Sequence, residues 1–218
     1  MMLSANQARI VIRRGLLACA LAFLPLAVRA QDAPSAQNFV QANVQNALSI
    51  LQDKSLAAGE RRDRIHAFLL SLLDTHRIAI YTLGSAQATA NPADLDAYSD
   101  AFRDFMVANY DSKLGNYAGQ TLKVTSATQH APGDFVVSAL LVDPSGSANG
   151  RTPPEVDFRI VYDGGKFQIV DASIEGIWLA LAERDDFQGF LKEHNGDINA
   201  LTAHLKQMTA SLEAQASN

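Results

Sequence analysis

Apolar positions recur at helical spacing through the first half of the chain and at every second residue through much of the second half. Val40, Val44, Ala47, Leu48 and Leu51 form one stripe; Ile65, Phe68, Leu69, Leu72 and Leu73 form another after a connection over 53–59. Residues 31–37, rich in Ala, Ser and Asp, read as a disordered lead-in, and His76–Gly84 as a short third helix ending at the glycine. Asn91-Pro92-Ala93-Asp94 then places an N-cap residue, a proline at the first helical position and an acid in the first turn. Leu95, Tyr98, Phe102, Phe105, Met106 and Tyr110 follow on one face, Leu114 and Tyr117 extend it, and Gly119 ends the helical half.

Beyond Gly119 the period changes. Leu122, Val124 and Ser126 alternate with Thr121, Lys123 and Thr125, and Phe135–Val142 is apolar on both faces, as a strand covered on two sides would be. After a polar loop over 144–154, Val156, Phe158, Ile160 and Tyr162 alternate with polar neighbours. Asp163-Gly164-Gly165 signals a tight hairpin, and Phe167, Ile169 and Asp171 continue beyond it. Two helices close the chain, from Ile177 to about His194 and from Asp197 to about Ala214, with Asn195-Gly196 between them. The pattern predicts an α+β fold: a curved four-stranded antiparallel sheet packed against N- and C-terminal helices. One stretch resists a simple amphipathic reading. Over 173–187, SIEGIWLALAERDDF, the chain is apolar in every direction and then carries Glu183, Arg184, Asp185 and Asp186 in succession. A turn that is apolar all round must be covered on all sides.

The first 30 residues read as a signal peptide: Arg9, Arg13 and Arg14, then an apolar run over 15–28, then Val28-Arg29-Ala30 before a cleavage near Ala30-Gln31. The 14-residue run falls short of the roughly 20 that span a bilayer. An ordinary export leader fits better than a twin-arginine one. Residues 31–218 are then a single exported domain. The leader holds four arginines and no acid, so its removal moves the net charge from −5 to −9. That balance argues against nucleic acid and against lying on anionic lipid. The only cysteine, Cys19, leaves with the leader, so disulfide and thiolate chemistry leave with it.

Enzyme signatures are missing: no Gly-x-Ser-x-Gly elbow, no His-Glu-x-x-His pair and no glycine-rich phosphate loop. The five histidines are scattered, so neither a metal nor a cofactor is expected. Asp171 sits on a strand among apolar neighbours. It is read first as a structural carboxylate facing Arg159 or a backbone N–H, with a general base of raised pKa as the alternative.

Several short motifs, taken in order, carry a resemblance. Leu83-Gly84, Phe102-x-x-Phe105, Tyr110, Leu114 and Tyr117-x-Gly119 are followed by Val156-Asp157-Phe158-Arg159, Gly164-Gly165, Val170-Asp171, Ile174-Glu175-Gly176 and Arg184-x-x-Phe187. Together they resemble the MlaC family, also called toluene-tolerance auxiliary proteins, over essentially the whole exported chain. Two positions depart from the family pattern: Trp178 stands where a small hydroxyl residue is usual, and Phe167 where a tryptophan is common. The resemblance implies a periplasmic, non-catalytic carrier that holds phospholipid tails between sheet and helices. It also implies transfer between an outer-membrane lipoprotein complex and an inner-membrane ABC transporter complex, by what we read as a monomer. A hopanoid-like lipid is the alternative cargo. On that reading Phe105, Tyr110, Tyr117, Phe135, Val137, Phe158, Ile174, Trp178 and Leu181 are expected to line an enclosed apolar cavity. Arg184 is expected near its mouth, facing either a phosphate or an internal acid. The competing readings are a cone-shaped small-ligand enzyme with Asp171 as base, and a periplasmic adaptor with a packed core.

Overall fold

The computed structural model of the protein describes residues 32–114, 119–144 and 152–216. The expected leader and Tyr117 lie outside them. Helix α1 (Ala33–Leu51) occupies what the sequence reads as a disordered lead-in. The cause is local: Asp32 accepts the Ser35 N–H at 3.0 Å as N-cap, Pro34 lies in the first turn, and Ala36 and Val40 are buried. Helices α2 (Ala58–Leu72) and α3 (Thr75–Thr82), a short 3₁₀ turn (Gly84–Ala88) and α4 (Pro92–Leu114) complete the helical half.

Strands β1 (Thr121–Ala131), β2 (Asp134–Val142), β3 (Glu155–Asp163), β4 (Lys166–Ile174) and β5 (Ile177–Trp178) follow in spatial order, every neighbour antiparallel. The meander matches the expected class but has five strands, not four. The fifth is hidden inside the helix expected from Ile177. Ile177 and Trp178 pair with Ile174 and Ser173 across a turn whose two residues, Glu175 (φ 52°) and Gly176 (φ 82°), are both left-handed. That geometry matches the right-handed twist of the flanking strands. Helix α5 (Leu179–Glu193) therefore starts after the hairpin, and α6 (Ile198–Ala216) ends the described chain.

Apolar burial divides into two clusters. The first joins one sheet face to α1: Phe135, Val137 and Ile160 pack with Ala36 and Val40, and Phe167 bridges them with its ring centroid 5.5 Å from Phe39 and 5.9 Å from Phe135. The second lies wholly among α3, α4, α5 and α6, around Tyr98, Phe102, Phe105, Phe187, Leu201 and Leu205. Gly84 joins α3 to α5: with φ at 54°, it lets Gln188 donate to the Leu83 carbonyl at 2.6 Å, and a Cβ there would come within 2.9 Å of the Gln188 side chain.

The helical cluster contains one buried hydroxyl pair. Thr82 Oγ1 donates to the Ala79 carbonyl at 2.7 Å, which uses its single proton, so the Tyr98 hydroxyl 2.7 Å away is the donor between the two. Burial pushes the Tyr98 phenol far above its usual pKa, so it remains a donor at any physiological pH. Tyr98→Phe leaves Thr82 bonded to Ala79 and should cost about 1 kcal/mol in urea unfolding. Thr82→Val strands the buried tyrosine hydroxyl and should cost more, about 1–3 kcal/mol.

Candidate functional site

The apolar stripe of α1 is longer than its contact with the sheet can use. Its N-terminal part lies on Phe135 and Ile160, whereas Val44, Ala47, Leu48 and Leu51 face the stripe of α2 and the far end of the sheet. Between them is a pocket of about 260 Å³. Helix α2 contributes Phe68, Leu69 and Leu72; the sheet contributes Leu122, Leu141, Phe158 and Ile169. Asn43, Gln120 and Thr121 are the only polar residues of the lining among the described residues, and Asn43 donates its amide to the Phe39 carbonyl at 2.8 Å. A pocket with so few polar partners holds water poorly and favours apolar guests.

Of the residues expected at a cavity, Phe158 lines this pocket. Phe135 and Val137 share its sheet face but are fully covered beneath α1. Phe105 is buried in the helical cluster, edge-on to Phe187 at 6.4 Å between ring centroids. Tyr110 packs against the same cluster, where burial raises its phenol pKa and the Asp171 and Glu183 charges add to the shift. Ile174 is 47% exposed at the end of β4. Trp178 and Leu181 belong to a different depression, on the opposite face of the sheet, and Arg184 stacks 4.9 Å from the centre of the Tyr81 ring. The expected residues thus divide among five places. The α1 and α2 residues that line the pocket are not in the expected set. The signal was present in the width of their stripes, which exceeds what one neighbour covers.

The opposite sheet face is polar. Ser138 and Ser173 donate to the two oxygens of Asp157, at 2.6 and 3.0 Å, making a row across three strands. One register step along, Val136, Arg159 and Asp171 form the next row. Arg159 is held by both oxygens of Asp134, at 3.2 and 2.8 Å, rather than by Asp171. With Tyr81, His130, Trp178 and Leu181 they line a depression of about 280 Å³. Asp171 Oδ1 accepts two backbone N–H groups, from Ala172 at 2.8 Å and Ala180 at 2.9 Å. The second bond makes it a cap for α5, whose own N-cap residue, Trp178, supplies none. Burial nevertheless holds the Asp171 carboxyl above the usual carboxylate range, against these bonds and the Arg159 charge. Among the described residues no cluster of three or more His, Cys, Asp and Glu could hold a metal ion, and no helix is long and apolar enough to cross a membrane.

Two comparisons with known proteins bear on this geometry. Residues 41–207 match the protein family described as MlaC protein. The fold is similar to that of a phospholipid-binding protein from Ralstonia solanacearum, solved in complex with a phospholipid. The TM-score is 0.69 at 21% sequence identity, covering 84% of this chain and 99% of the other. At that identity the likeness establishes the architecture.

The cap can be tested directly. Asp171→Ala should destabilise the protein by about 1 kcal/mol in chemical unfolding, and Asp171→Asn, which keeps one acceptor, by less. Because the folded-state pKa of Asp171 is raised above 3.8, the folded protein binds this proton more tightly than the unfolded chain does. Wild type should therefore lose stability relative to Asp171→Asn as the pH rises from 3.8 through the folded value, and the difference should level off above it.

Proposed function

The chain belongs to the MlaC family, and we propose that it is a non-catalytic carrier that shields phospholipid acyl chains in the pocket between α1, α2 and the sheet. The observation that carries this reading is the lining itself: among the described residues thirteen of its sixteen are apolar, drawn from two helices and four strands. The phospholipid complex of the Ralstonia solanacearum protein, which shares the fold, supports the choice of cargo. A lipid of hopanoid type is distinguished from it by the mass of whatever co-purifies.

The physics of transfer constrains the site. Each methylene taken out of water gains about 0.8 kcal/mol, but a bilayer already provides that gain. The carrier must match the bilayer's interior and still release its cargo to an acceptor. A pocket of about 260 Å³ lies below the roughly 300–1,000 Å³ usual for small-molecule sites. Two full acyl chains therefore enter only as α1 and α2 part from the sheet, and the expansion lowers net affinity to a level that permits release. On this reading residues 31–218 act in the periplasm as one domain after the leader is removed. They carry lipid between an outer-membrane lipoprotein complex and an inner-membrane ABC transporter complex. Asp171 lies outside this pocket, in the depression on the other sheet face, with one oxygen committed to two N–H groups, so a general base there would not reach a guest held between α1, α2 and the sheet.

Lipid extraction and native mass spectrometry of the purified protein should find a phospholipid mass, and delipidated protein should take up phospholipid from vesicles. Protein that is folded yet never carries or accepts one rules the reading out. Ala47→Phe fills the pocket from its α1 wall and should largely abolish bound lipid while costing at most about 3 kcal/mol of stability.

A further inference from the structure

Five large apolar side chains are exposed among the described residues: Tyr81 (39%), Ile174 (47%), Ile177 (64%), Leu179 (36%) and Leu181 (43%). Exposed singly, such residues need no explanation; gathered together, they do. Here they are gathered. Ile174 and Ile177 are cross-strand partners at the β4–β5 hairpin, and Leu179 and Leu181 follow at once in the first turn of α5. Leu181, Tyr81 and Trp178 line the same depression, and Arg184 lies over the Tyr81 ring. Ile174 stands on the pocket face of the sheet and Trp178 on the other, because Ile174 pairs with Val156, two residues from Phe158, while Trp178 pairs with Ser173. The apolar surface therefore wraps both sides of an edge strand only two residues long.

The charges around it identify the kind of occupant. Glu175, at the hairpin turn, and Asp185 and Asp186, in α5, are exposed, and none makes an ion pair with another described residue. Arg184 is likewise without a carboxylate among the described residues, and the other arginine of the depression, Arg159, is neutralised by Asp134. An apolar centre containing Trp and Tyr inside a charged rim is the anatomy of a protein interface. The acidic rim, on a chain of net charge −5, opposes docking on an anionic bilayer and opposes a second copy presenting the same rim.

We propose that the β4–β5 hairpin, the start of α5 and Tyr81 form the surface on which this chain docks to a protein partner bearing an apolar groove rimmed by lysine or arginine. The proposal rests on the carrier reading, which requires delivery to an acceptor, and it places recognition on an edge next to the pocket and outside its lining. Docking would then be independent of whether the pocket is filled.

The test uses the exported chain and, as separate probes, the purified inner-membrane ABC transporter complex in nanodiscs and the outer-membrane lipoprotein complex of the same organism. Binding is followed by biolayer interferometry. Wild type should bind at least one of them. Ile177→Asp should weaken that binding by roughly thirtyfold or more, while Ile177→Val binds as wild type. Asp185→Lys combined with Asp186→Lys should slow association and reduce its salt dependence. Circular dichroism and bound-lipid content of the Ile177 variants should not change. Wild-type affinity in Ile177→Asp overturns the proposal, as does failure of wild type to bind either complex. Self-association in ultracentrifugation, or flotation with phosphatidylglycerol vesicles, overturns it if Ile177→Asp abolishes either one, since the surface would then serve a different occupant. Lipid content, measured in the same samples, tests the carrier reading separately.

Discussion

Strands β2, β3 and β4 present Phe135, Val137, Phe158, Ile160 and Ile169 on one side of a twisted sheet, and water has to be kept off that side. The cover is α1, laid lengthwise and seated by Ala36 and Val40, with α2 beside it. Small residues at the start of α1 allow close approach there. Further along, Val44, Ala47, Leu48 and Leu51 face the pocket instead. The other sheet face is relieved of this demand by the Ser138–Asp157–Ser173 row and the Arg159–Asp134 pair. Helices α3 to α6 build a second core, joined to the sheet where Asp171 of β4 caps α5. The candidate pocket thus lies where one apolar surface is covered incompletely, and the second cluster packs apart from it.

Much of this architecture could be read along the chain. The stripes of α1, α2, α4 and α6, the proline start at Pro92, and the Gly164-Gly165 hairpin all stand where the spacing places them. What escaped was local. Alternation fades in the second half of β1 because register shifts after Val124 and after Gln129 each put an unpaired residue into the strand. Strand β5 escaped because two residues carry no period, and only the Glu175-Gly176 turn marks it. Glu175 is a poor signal for a left-handed position. The start of α1 was legible in Asp32-Ala33-Pro34-Ser35 as a cap followed by a first-turn proline, but its composition looked like a linker.

The site was less legible than the fold, for a physical reason. A periodic pattern says that a side chain is covered, not by what, so Phe105 in a helical core and Phe158 in a pocket look alike in the sequence. Family motifs likewise mark backbone devices as readily as contacts. Gly84 admits Gln188, and Asp171 caps α5 from a neighbouring strand. The stretch over 173–187 shows the same limit: its all-round apolar turn is exposed on one side, not enclosed.

The junction after α2 has a mechanical meaning. Leu73 forms a bridge with Ile169, and the Asp74 N–H donates to the Ile169 carbonyl at 3.0 Å. At the other root, Phe39 is wedged against Phe167. Between these two pins, the elbow joining α1 to α2 makes its hydrogen bonds internally, with Arg61 reaching the Asp53 and Leu56 carbonyls and Ser55 reaching Asp53. The helix pair is thus pinned to the sheet side at both roots, while these bonds of its elbow stay within the elbow itself, so its hold on the sheet is separate from the ladders that join the strands.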